Sequence, residues 1–114
     1  MANLVRDGDT LMLKLSVAEK LEGVHGDLQA PVASVVSMTI VDDVIHAIHG
    51  IRTVGTSIPG VVAMGTFWSG SETIFAVVHH HNAQGIRVNL RDGHYGAWIV
   101  GVDDPEHVIA QLGF

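Results

Sequence analysis

The chain has 114 residues, no cysteine, and a net charge of −6 from six basic and twelve acidic side chains. This length fits a single domain spanning residues 1–114, and 47% hydrophobic against 16% charged residues is a globular composition. The acidic balance argues against a nucleic-acid partner, which needs local positive charge, and against docking on an anionic bilayer; without cysteine there is no disulfide, thiolate metal site or Cys nucleophile, and a cytoplasmic location fits.

Seventeen valines and nine isoleucines favour β structure. The first nine residues carry charges where a signal peptide has its apolar stretch. No apolar run approaches the ~18 residues of a membrane-spanning helix. The mean hydropathy of +0.35 is high, which implies either a generous core or apolar surface covered by another subunit.

Residues 10–15 alternate as a half-buried strand, with Leu11, Leu13 and Leu15 on one side. Ser16 and Glu19 form a capping box for a helix of about two turns, whose face is Val17, Leu21 and Val24. Residues 27–36 are extended, then kink at Pro31, which can open a single helical turn. Residues 37–41 return to strand, with Met38 and Ile40 on one side and Thr39 and Val41 on the other. Residues 42–50 read as a short helix capped by Asp42 or Asp43 and stopped by Gly50.

Pro59-Gly60 marks a type II turn in the loop 55–60. A strand follows over 61–68, with Gly65 inside it as a bulge or close approach. Strands over 73–80, 86–91 and 97–102 complete a four-strand meander with turns at 69–71, 82–85 and 92–93. In the third of these, Ile86, Val88 and Leu90 point inward and Arg87, Asn89 and Arg91 outward. Asp104 at the cap, Pro105 at the first helical position and Gly113 at the stop delimit a C-terminal helix.

The chain is therefore mainly β (α+β), with strands at the spacing of a small barrel or sandwich. Gly55-Thr56-Ser57-Ile58-Pro59-Gly60, then Met64-Gly65-Thr66-Phe67, the strand Thr73-Ile74-Phe75-Ala76-Val77-Val78, the meander, and Asp104-Pro105-Glu106 follow one another in an order that resembles the small uncharacterised bacterial pleckstrin-homology-like (PH-like) domain proteins. That resemblance implies a bent antiparallel barrel or sandwich of about seven strands, closed at one end by the C-terminal helix. Phosphoinositide-binding members of the superfold use basic residues around the first strand pair. Here Lys14 and Lys20 stand beside Glu19, Glu22 and Asp27, so phosphoinositide membrane binding is not expected.

Eight histidines are the unusual feature of the composition. On a helix over 42–50, Asp42, His46 and His49 recur at spacings of four and three and share a face opposite Val44, Ile45 and Ile48. Two imidazoles and a carboxylate suit a divalent transition metal with an open position; the competing reading is a solvated polar face with Asp42 as the cap. If the segment is extended, His46 and His49 point to opposite faces. His79, His80 and His81 read as a strand end emerging into solvent.

No nucleotide, dinucleotide or hydrolase motif is present: Gly55 and Gly60 have the spacing of a phosphate loop, but Val61 and Val62 stand where it needs Lys and Ser/Thr. The strand over 73–80 has two apolar faces, Thr73, Phe75 and Val77 on one and Ile74, Ala76 and Val78 on the other. One face meets the core; the second calls for the terminal helix, a loop or a second subunit. Thr73, Phe75, Val77, Ile74 and Val78 are thus the expected interface of a homo-oligomer. The function these residues suggest is a small non-enzymatic module acting through protein contacts and self-association, without a cofactor. A metal-binding protein using the His-rich site is the alternative.

Overall fold

In the computed structural model, which describes residues 3–14, 28–44, 52–53, 61–69, 72–79, 83–91, 93 and 95–114, the strands form two separate sheets. β1 (Asn3–Asp7), β2 (Thr10–Lys14) and β3 (Leu28–Pro31) make an antiparallel sheet in that order. A 3-10 turn at Val32–Ser34 carries the chain into the second sheet. This sheet contains β4 (Val35–Val41), β5 (Arg52–Thr53), β6 (Val61–Ser69), β7 (Glu72–His79), β8 (Gly85–Leu90) and β9 (Ala97–Gly101), in the order β4-β8-β9-β7-β6-β5. The helix α1 (Pro105–Leu112) ends the fold.

The mainly β character and the C-terminal helix follow the sequence, but the barrel or sandwich implied by the PH-like resemblance does not form. Both strand orders are linear: β4 and β5 are the two ends of one sheet, β1 and β3 of the other. The reason lies in β9. Instead of extending an antiparallel meander, it inserts between β7 and β8, antiparallel to β8 but parallel to β7, with Phe75 opposite Trp98 and Val77 opposite Val100. The result is one wide open sheet.

Local chemistry accounts for most element boundaries. Leu11 and Leu13 are buried and Lys14 exposed, as their alternation requires. The Asp104 side chain accepts the His107 backbone N–H at 3.2 Å, Pro105 sits in the first turn, and Gly113 adopts φ 79°, a left-handed stop that glycine alone adopts at no steric cost. Pro31 precedes the 3-10 turn rather than lying inside it. In β6 the register shift falls between Val61 and Ala63, while Gly65 stays in register with Ala76, so the bulge is not at the glycine. β1 is unanticipated, since Asn3-Leu4-Val5-Arg6-Asp7 has no clean alternation; it is held by pairing with β2. The helices expected over 16–24 and 42–50 lie outside the described residues, apart from residues 42–44, as does the loop 55–60.

Two apolar clusters cover the two faces of the large sheet. The first joins Leu11, Leu13 and Leu28 of the small sheet to Phe75, Val77, Ile86, Val88, Trp98 and Val100, with Leu112 of α1 at its margin. The second gathers Val44, Phe67, Ile74, Ala76, Val78, Ala97 and Ile99 on the opposite face. Arg6 of β1 fastens α1: its Nη1 donates to the Leu112 carbonyl at 3.0 Å, and its guanidinium lies 5.4 Å from the centre of the Phe114 ring.

Two substitutions test this packing by chemical denaturation. A Cβ on Gly85 would sit 2.5 Å from the Val100 carbonyl oxygen and 2.8 Å from Val44 Cγ2, so Gly85→Ala is expected to cost about 2 kcal/mol of unfolding free energy. Arg6→Ala should cost about 1 kcal/mol and expose the amides of the last helical turn to faster hydrogen exchange.

Candidate functional site

A strand at a sheet edge presents a row of unpaired N–H and C=O groups to any chain that can add to it. Among the described residues there are four edge strands, and three of them discourage this by charge, proline or brevity. β1 contains Arg6 and Asp7, β3 ends in Pro31, which has no N–H to donate, and β5 is two residues long and begins with Arg52. β4 differs: its seven residues, Val-Val-Ser-Met-Thr-Ile-Val, include no charge and no proline.

The inner side of β4 is fixed. It pairs antiparallel with β8, Met38 opposite Val88 and Ile40 opposite Ile86, and the register shifts between Val35 and Ser37, so Val36 is the extra residue of a bulge. Val35 and Met38 pack on the first core cluster and Val41 on the second. On one face a polar chain ties β4 inward: Asn89 Nδ2 donates to Ser37 Oγ at 3.0 Å, Arg87 Nε donates to Asn89 Oδ1 at 2.8 Å, and Arg87 Nη2 is ion-paired with Glu72 Oε1. This chain reaches across β9 to β7, and because its ion pair is partly exposed it adds little to the stability of the fold.

Two apolar side chains of β4 stand exposed. Val36 is 60% exposed and Ile40 39% exposed. They lie two residues to either side of Met38, with Ser37 and Thr39 next inward and Val35 and Val41 at the ends. By chemical class the strand reads the same in both directions.

The expected interface residues are elsewhere. Ile74, Phe75, Val77 and Val78 are at most 1% exposed and Thr73 is half-buried, all in β7 in the interior of the sheet. On the second face Ile74 and Val78 group with Phe67, Ala97 and Ile99 of the neighbouring strands and with Val44, which follows β4. Asp42 follows β4 directly and is exposed, whereas His46 and His49 lie outside the described residues. His79, at the end of β7, is half-buried, and His80 and His81 are also outside. Among the described residues no three His, Asp or Glu side chains gather into a metal-holding group, and no helix is long and apolar enough to cross a membrane.

The sequence places a strand over residues 37–41, but not its start at Val35, its bulge at Val36 or its position in the sheet. The available signal was the seven-residue run without a charge or proline, read together with its symmetry. No protein-family model matches the chain, and no curated protein or solved structure does either.

Because Val36 and Ile40 are exposed, Val36→Lys and Ile40→Lys should each shift the unfolding free energy by only about 0.5 kcal/mol. Val78→Asp, which places a carboxylate in the second cluster, should unfold the protein at room temperature. Circular dichroism during thermal melts separates the two outcomes.

Proposed function

We propose that this chain is a small non-enzymatic module that acts through protein contacts, and that its working surface is the outer edge of β4, where it pairs with a second copy of itself. The observation that carries the reading is the symmetry of Val35–Val41, a long apolar edge strand without a charge or proline beside three edges that have one or the other. A two-fold antiparallel pairing centred on Met38 sets Ser37 against Thr39 of the partner subunit and Met38 against its own copy, with the bulged Val36 outside the regular register. Every contact then recurs on the other side of the axis, as an isologous interface demands. Main-chain hydrogen bonds supply the affinity and the apolar pairs fix the register. An interface built from one strand pair is small, and a dissociation constant of about 10 µM is expected.

Sedimentation velocity from about 1 to about 500 µM tests this, a range that brackets the expected constant. The weight-average mass should climb from 12.1 kDa toward twice that value, and Ile40→Lys should hold it at the monomer mass throughout. A wild-type protein that stays monomeric at the highest concentration, or an Ile40→Lys variant that associates as the wild type does, overturns the reading.

A further inference from the structure

The two sheets part where β3 crosses to β4, and a cleft of about 240 Å³ opens there. Its apolar walls are Leu28, Ala30, Leu90 and Trp98, with Tyr95 and Arg91 at the margin. Two polar groups in this lining are not accounted for by the fold. Trp98 is 1% exposed, yet its indole Nε1–H, completely buried, has no acceptor among the described residues. Buried indole N–H groups are almost always paired, so this orphan marks incomplete packing immediately behind the cleft. The second group is Arg91. Its Nη2 donates to the Ala33 carbonyl at 3.0 Å, which holds the side chain in place, but no carboxylate pairs with the guanidinium among the described residues. Tyr95 is committed elsewhere: its hydroxyl is 3.0 Å from Thr66 Oγ1, and its ring stands edge-on to Phe75 at 5.7 Å. It therefore acts as a fixed wall.

We infer that this cleft is a binding site for a small carboxylate with an apolar body. The Arg91 fork matches a carboxylate in shape and charge, and the Trp98 ring and the aliphatic walls take the hydrocarbon. A single guanidinium neutralises a monoanion and leaves a phosphomonoester under-compensated, which favours the carboxylate. The volume is below the ~300–1,000 Å³ of pockets for drug-sized ligands, so the ligand is of fragment size. The site is independent of the proposed pairing of β4, and neither result depends on the other.

The probe is phenylacetate, with its neutral isostere phenylacetamide as the control, titrated into ¹⁵N-labelled wild-type protein. The indole resonance of Trp98 is identified from the spectrum of Trp98→Phe, in which the ring is replaced without its N–H. Phenylacetate should move that resonance saturably with a dissociation constant of about 1 mM, and phenylacetamide should bind about tenfold more weakly. Arg91→Met, at an exposed position, should reduce phenylacetate binding to the level of the amide. A Trp98 indole resonance unmoved by about 20 mM phenylacetate, well above the affinity expected of a fragment, overturns the site. Equal binding of acid and amide by the wild type overturns the assignment of Arg91 and with it the carboxylate.

Discussion

Strand β7 has no polar side. Ile74, Ala76 and Val78 enter one cluster, and Phe75 and Val77 the other, so a sheet in which either face of β7 met water would leave several apolar side chains exposed. Such a strand belongs in the interior of a sheet covered on both faces, an environment usual for parallel neighbours. β9 meets the same condition, with Ala97 and Ile99 on one side and Trp98 and Val100 on the other. Placing the two side by side lets each bury the other's edge, and the register of Phe75 on Trp98 and Val77 on Val100 aligns their bulky side chains on a common face. The rest of the architecture follows from that pairing. Once β9 stands between β7 and β8, β8 is displaced outward, β4 becomes the rim, and the sheet has two ends that do not meet.

An open sheet has edges, and edges have consequences. Charges in β1, a proline in β3 and the brevity of β5 are recognised ways of keeping an edge from pairing with a stranger. β4 keeps one such device, the bulge at Val36, and otherwise presents hydroxyl and aliphatic side chains only. Its inner face is held by the chain from Ser37 through Asn89 and Arg87 to Glu72. An edge whose inner side is already hydrogen-bonded in place loses less entropy when a strand is added to it. That combination is what sets β4 apart from the other three.

Much of this fold was legible from residue order. The alternation of Leu11 with Leu13, that of Ile86, Val88 and Leu90, and the Asp104, Pro105 and Gly113 punctuation of the helix all reflect interactions between residues near in sequence. The doubly apolar character of residues 73–78 was also legible, and it correctly required cover on both faces. What covers them was not, because strand order depends on contacts between residues far apart: the partner of β7 lies beyond β8, and a regular hydrophobic pattern is equally consistent with a meander and with an inserted parallel strand. The same limitation hid the candidate sites. By its alternation Arg91 is one more outward residue of a strand, and no neighbour in sequence marks Trp98 out. Only the crossing of β3 into β4 brings the two to one cleft.

That crossing is where the two sheets are joined and where they separate. The Val32 N–H donates to the Asp9 carbonyl at 2.7 Å and the Arg91 N–H to the Ser34 carbonyl at 2.9 Å, so the 3-10 turn is tied to the small sheet at one end and the large sheet at the other. In a closed barrel the gap between them would be bridged by strand pairing and filled by side chains. Here Ala30, Pro31 and Ser34 line an open space instead, and the Trp98 indole behind them is desolvated without a partner. The same insertion of β9 that leaves β4 as a free edge also brings Trp98 into the middle of the sheet. The edge and the cleft are two outcomes of one topological choice: burying β7 on both faces cost the fold its closure and left at the seam one buried donor, the Trp98 indole N–H, that the chain's described residues do not satisfy.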